Sequence, residues 1–124
     1  MNTKHRLRIL SRVEAGEVFL SSLGHVVSAC WHGIPEHVPG VELGRLVVMP
    51  DHLHGILVLP RVGRSLADVI GQFKAGVTRT ARKEGIHFGP PLWQRSFYDR
   101  ILRTPEEWWY HDCYIAENPA RWKE

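Results

Sequence analysis

The sequence predicts an α+β domain with two helices packed on one face of a mainly antiparallel sheet. Three observations lead there. Residues 41–59 divide into two β-rich runs around Pro50-Asp51, residues 66–81 repeat apolar side chains at intervals of three and four, and strand-like and helical segments follow one another in the order (ββ)-α-β-β-α-β-α. At 124 residues the chain is long enough for one domain with a single modest core.

The elements are justified in order. Arg6 to Ser11 and Glu17 to Ser21 read as two short strands around Glu14-Ala15-Gly16, which has turn character. From Leu23 the spacing becomes helical, with Leu23, Val26, Val27, Cys30, Trp31 and Ile34 on one stripe, a serine at 21 or 22 as cap and Pro35 as stop. Val41 to Met49 and His52 to Leu59 then form a hairpin around a two-residue turn. Ser65 caps a second helix, whose stripe is Leu66, Val69, Ile70, Phe73, Val77 and Ala81 and whose end is Gly85. After the breaker Gly89-Pro90-Pro91, residues Leu92 to Leu102 read as a further strand. Thr104 caps a last helix with Pro105 at its first position and Glu106 and Glu107 in its first turn, and Asn118-Pro119 is expected to stop it. On a helical wheel Trp108, Trp109, Asp112, Cys113, Ile115 and Ala116 share the side expected to be buried, opposite Glu107, His111, Tyr114 and Asn118.

Composition excludes several classes. An apolar content of 44% with 23% charged residues is incompatible with wholesale disorder. The longest apolar runs are about one strand long, so no membrane span is expected, and the first residues lead into no signal-peptide stretch. A cytoplasmic location follows as the expectation, with Cys30 and Cys113 as reduced thiols. A net charge of +3 permits an anionic partner without demanding one.

The chemistry centres on two places. In a strand, His52 and His54 point to the same face about 6–7 Å apart, so both can grip one divalent cation while Leu53 points to the other face. Two unliganded histidines on a half-exposed strand would give the same pattern. Asp51 beside them is assigned to the turn. On the last helix Tyr114 and Asn118 are one turn apart, placing a phenol and a carboxamide on one polar face. A carboxamide oxygen is a hard ligand suited to Mg2+ or Mn2+. A half-packed aromatic is the plainer reading of Tyr114 alone. Taken together, two imidazoles, an amide oxygen and a phenol suit phosphodiester cleavage through a covalent phosphotyrosine.

At this point the chain resembles the HUH single-tyrosine transposases (the IS200-like transposase domain), in particular the short group associated with repetitive extragenic palindromes. The resemblance is carried by the segment 41–58 with its His52-Leu53-His54 signature, by Ile70-Gly71-Gln72-Phe73-Lys74, by Pro91-Leu92-Trp93-Gln94-Arg95, by Tyr98-Asp99-Arg100-Ile101-Leu102-Arg103, and by Tyr114-Ile115-Ala116-Glu117-Asn118-Pro119. These segments are collinear and span roughly residues 17 to 122, and it is their order that gives the match its specificity. The resemblance implies a palm-like sheet of ferredoxin or RRM type and a single catalytic domain over residues 1–124. It also implies a metal held by His52, His54 and Asn118, and a nucleophile at Tyr114 that nicks single-stranded hairpin or palindromic DNA. The products would be a 5′-phosphotyrosyl link and a free 3′-hydroxyl. Residues 1–16 depart from the family pattern, whose first strand is either missing here or replaced by Arg6 to Ser11.

Lys74, Arg79, Arg82, Lys83, Arg95, Arg100 and Arg103 are candidates to track the DNA backbone, against the alternative of a solvated basic face. Trp93 is a candidate to stack on a base or to pack in the core, and His111 to touch phosphate or metal. The expected activity is therefore nicking and strand transfer, as monomer or homodimer. The alternative is a non-catalytic protein that binds hairpin DNA without cutting it. A histidine-triad nucleotide hydrolase would need a histidine at 56, where this chain has Ile56.

Overall fold

The computed structural model describes residues 1–60, 62–89, 91–95, 102 and 104–123. The first hairpin joins β1 (Ser11–Glu14) to β2 (Glu17–Leu20). Its turn places Ala15 at φ 51° and Gly16 at φ 79°, the pair of left-handed residues that a two-residue hairpin turn requires. Two helices follow, α1 (Ser22–His32) and the single turn α2 (Ile34–His37). The hydroxyl of Ser21 accepts from the Gly24 amide and caps α1.

The second hairpin is β3 (Glu42–Val48) with β4 (Leu53–Val58), antiparallel, with Val47 opposite His54 and Val48 opposite Leu53. A register shift lies between Leu43 and Leu46. The Met49 amide donates to the His52 carbonyl at 2.8 Å, so the tight turn at Pro50-Asp51 is formed as expected. Helix α3 (Leu66–Lys83) is capped by Ser65 and packs against α1. Helix α4 (Pro105–Arg121) is capped by Thr104, whose hydroxyl accepts from the Glu107 amide, and lies across β3, touching β2 and β4.

The core sits between the two hairpins and the α1–α3 pair. Leu10 and Leu53 are buried there with Val27, Trp31, Val69, Phe73 and Val77, which come from the stripes that the helical spacing marked. The Trp31 ring meets Phe73 edge-on at 6.0 Å. Gly55 is what lets Trp31 lie against the sheet, because a β-carbon at that position would collide with the indole.

Three expectations are corrected. Arg6 to Ser11 is not a strand. Residues 4–6 form a single 3-10 turn and pairing begins only at Ser11. The slot beside β4 is instead taken by residues 1–4: the Met1 carbonyl accepts from the Leu53 amide at 2.9 Å and the Thr3 amide donates to the Asp51 carbonyl at 2.9 Å. On the other side the Lys4 amide donates to Leu92 at 2.8 Å and the Gln94 amide to Asn2 at 3.0 Å. A few residues thus bridge β4 to segment 91–95. Second, of the strand expected over Leu92 to Leu102, the described part shows one bridge, Thr3 with Trp93, while Ser96 to Ile101 lie outside the described residues. Third, Pro119 does not stop α4, which continues to Arg121. No helix among the described residues is long and apolar enough to cross a membrane.

Candidate active site

The hairpin turn delivers the two histidines. His52 and His54 flank Leu53; Leu53 is buried in the core, so the imidazoles leave the opposite face of the sheet together. Their ring centroids are 4.9 Å apart and the planes meet at 84°. Asp51 Oδ1 accepts a hydrogen bond from His52 Nδ1 at 2.6 Å, and Asp51 Oδ2 accepts from Arg6 Nε at 3.1 Å.

Burial pushes the pKa of His52 down, partly offset by Asp51. Burial, then His52, the amino terminus and Arg6, push His54 down to about 4. Both rings are therefore neutral at pH 7, the state that metal ligation requires. The His52–Asp51 contact is accordingly a hydrogen bond from a neutral ring. Burial alone would raise the Asp51 carboxyl, but hydrogen bonds from His52 and Arg6 bring it below its ordinary range.

Helix α4 supplies the rest. The Tyr114 ring stands edge-on to His54 at 6.4 Å between centroids, and Trp122, at the C-cap, lies 6.2 Å from His52. Tyr114, Asn118 and Trp122 are successive turns of one helical face, so Asn118 is carried between the two contacts, half-buried. The Arg121 guanidinium sits over the Tyr114 ring at 5.2 Å and pairs with Glu117 at 2.7 Å; Arg8 covers Trp122 at 4.8 Å. Among the described residues no group of three His, Cys, Asp or Glu could hold a metal. The candidate set is instead two histidines and an amide, and the neutral, same-face imidazoles fit a divalent cation.

The expected orientation of α4 is corrected. Trp109 is 68% exposed and Trp108 36%, and of the six residues expected on the buried side only Ile115 is buried. The face turned to the sheet runs through His111, Asp112, Ile115, Asn118 and Pro119. The reason is that the sheet surface beneath offers polar partners beside its apolar residues. Arg45 on β3 binds Asp112 with two hydrogen bonds, and the histidines lie alongside. His111 is half-buried and its ring meets Tyr110 at 5.4 Å; no hydrogen bond joins it to the histidine pair among the described residues.

The basic candidates divide. Lys74, Arg79, Arg82 and Arg95 line one open groove of about 880 Å³ between α3 and segment 91–95, whereas Lys83 lies outside it. Arg100 and Arg103 lie outside the described residues. Trp93 lines the same groove but is 8% exposed and packed 6.3 Å from Phe73, so its ring belongs to the core and has no face open for a base.

Sequence reasoning missed Asp51 as a partner of His52, for which adjacency to the motif was the only signal. It also missed Arg6, Arg8, Arg45, Arg121 and Trp122, which reach the site only through the tertiary fold.

No protein-family model matches the chain. Two proteins of Haemophilus influenzae are similar to it. One, of uncharacterised function, is 34% identical over 85% of this chain and 69% of its own length. The other, assigned by name as a candidate REP-associated tyrosine transposase, is 30% identical over 69% of this chain. The chain matches 53% of that relative, about half its length. A solved structure of a REP-associated tyrosine transposase bound to a REP hairpin superposes with a TM-score of 0.74, at 20% identity, over 97% of this chain and 63% of that one. The chain is thus related in sequence to the two Haemophilus proteins, one of them named as a candidate REP-associated tyrosine transposase, and it has the fold of the solved REP-associated tyrosine transposase.

Proposed function

We propose that this chain is a catalytic domain, spanning residues 1–124, that nicks and rejoins single-stranded DNA at hairpin or palindromic sequences through a 5′-phosphotyrosine at Tyr114. The observation that carries this reading is the placement of the Tyr114 ring 6.4 Å from His54 on a helix that brings Asn118 along one turn later. The solved relative's hairpin DNA supports the substrate class.

His52, His54 and Asn118 would hold Mg2+ or Mn2+. When bound, the ion would draw charge from a non-bridging phosphate oxygen and make the phosphorus more electrophilic. Tyr114 Oη attacks the phosphorus, the P–O3′ bond breaks, and the phenol proton passes to solvent. The 3′ oxygen takes a proton from solvent as it leaves and becomes a hydroxyl, with the 5′ phosphate retained on the tyrosine. Attack by an incoming 3′-hydroxyl reverses the balance, joining strands and restoring the phenol. Arg121, stacked on the Tyr114 ring at 5.2 Å and paired with Glu117, would hold the phenol in its orientation. The cations of the α3 groove would follow the DNA backbone away from the cut.

The test is a denaturing gel after incubation with hairpin DNA carrying a single-stranded flank, in the presence of manganese. A heat-stable protein–DNA band is expected, and Tyr114→Phe should abolish it while leaving hairpin binding in a native gel. Tyr98→Phe and Tyr110→Phe should retain the band. Retention in the native gel with no covalent band from the parent would assign the chain to hairpin binding without cleavage, and nucleotide release would assign it to hydrolysis.

A further inference from the structure

Asp51 spends its carboxylate in an unexpected direction. An aspartate in a hairpin turn ordinarily uses its side chain to accept from the turn's own backbone. Here the carboxylate turns outward to His52 Nδ1 at 2.6 Å and Arg6 Nε at 3.1 Å. It is the Asp51 backbone that is tied down instead, its carbonyl accepting from the amide of the fully buried Thr3 at 2.9 Å and lying 3.1 Å from the Thr3 hydroxyl, which the Leu7 carbonyl shares at 2.8 Å.

The segment that supplies Arg6 is itself strained. His5 and Arg6 lie at φ 58° and 54°, two successive left-handed residues without a glycine between them. Such a turn persists only where contacts on both sides hold it. Here those contacts are the Thr3 bonds to Asp51 on one side and the Arg6–Asp51 pair on the other. The first six residues thus form a bracket around one carboxylate.

We propose that Asp51 is the positioning residue of the metal centre. It fixes His52 in the Nδ1–H tautomer, with the Nε2 lone pair directed to the cation, and Arg6 holds the carboxylate in place. This rests on the reading of His52 and His54 as metal ligands. A carboxylate acceptor on the far ring nitrogen locks both the tautomer and the ring rotation of a metal-binding histidine, and removing such partners costs about 10–100-fold in metal affinity. His54, by contrast, has no side-chain hydrogen-bond partner among the described residues. The two ligands are therefore unequal: His52 is held by a hydrogen bond, and His54 by ring contacts with His52 and Tyr114.

Two measurements on the full chain separate this inference from the reading beneath it. Nitrogen NMR of the imidazoles without metal reports the tautomer, and calorimetric titration with manganese reports the site. In the parent, the His52 proton should sit on Nδ1. Asp51→Ala should move it to Nε2 and weaken manganese binding about 10–100-fold. Asp51→Asn, whose amide oxygen can still accept, should restore the tautomer and much of the affinity. Arg6→Gln should weaken binding less than Asp51→Ala. A parent that binds no manganese overturns the metal reading, and the tautomer shift still decides the role of Asp51. A parent that binds, with Asp51→Ala binding equally or keeping the Nδ1 proton, overturns the positioning role alone. Should Asp51→Ala fail to fold, the parent's own tautomer decides: a His52 proton on Nδ1 supports the role, and one on Nε2 overturns it.

Discussion

Arg45 on β3 grips Asp112 on α4 through both carboxylate oxygens, at 2.9 and 3.3 Å, and this pair sets the rotation of the helix that carries Tyr114. Asp112 lies about 200° round the helix from Tyr114, so loosening its tie to the strand next to β4 would let the helix turn and carry the phenol away from His54. The pair is exposed, and such pairs contribute little to global stability. Arg45→Ala should therefore leave the melting temperature near the parent's while slowing covalent DNA capture by up to about 100-fold, the scale of a misplaced reacting group. Single-turnover rates beside a thermal melt check this. An unchanged rate would assign the orientation of α4 to Ile115 packing alone.

The depressed pKa values of the histidines make the metal-free fold acid-sensitive in a defined window. His54 falls from an ordinary value of 6.5 to about 4, and His52 is also lowered, burial being the main cause for each. The folded state binds fewer protons than the unfolded chain between these values. The stability owed to neutral rings is thus complete above about pH 6.5 and is lost as pH falls toward about 4. Urea midpoints measured without metal should decline from pH 7 to pH 5, and His54→Gln, which cannot titrate, should flatten that decline. Parallel curves for the two proteins would contradict the burial argument.

DNA affinity should fall with salt through the α3 groove rather than through the basic residues as a set. Arg79→Glu and Arg82→Glu should each reduce the slope of log affinity against log salt by about 0.7–1, and Lys83→Glu, outside the groove, should change it less. Equal effects at all three positions would mean a diffuse electrostatic face.

Gly55 offers a stability test independent of chemistry. Its missing side chain is the space in which the Trp31 ring lies, so Gly55→Ala should destabilise by about 1–3 kcal/mol through overpacking in the core. Chemical denaturation checks the size. A neutral effect would show that the indole can shift without cost.

The local patterns of this protein were legible in its sequence because each is written in consecutive residues. The α1 and α3 stripes, the Ser65 and Thr104 caps, the Pro50-Asp51 turn and the same-face placement of His52 and His54 follow from helical and strand periods alone. The resemblance then tied Tyr114 and Asn118 to the same chemistry, and the fold placed that helical face beside the histidines. What the sequence misjudged was α4 as a whole. A wheel weighted by hydrophobicity turns Trp108 and Trp109 inward, but the surface that receives this helix carries Arg45 and the histidines, and it takes a helix face that pairs Asp112 with Arg45 and buries Ile115. The first strand was misjudged for a related reason. Residues 1–3 carry no strand signal of their own, and they are extended only because Asp51, Leu53 and Gln94 offer backbone groups on both sides. Periodicity is a property of one segment and survives reading in isolation. The partner of a helix face, of a carboxylate or of a short backbone run is a property of two distant segments, and only the tertiary structure decides it.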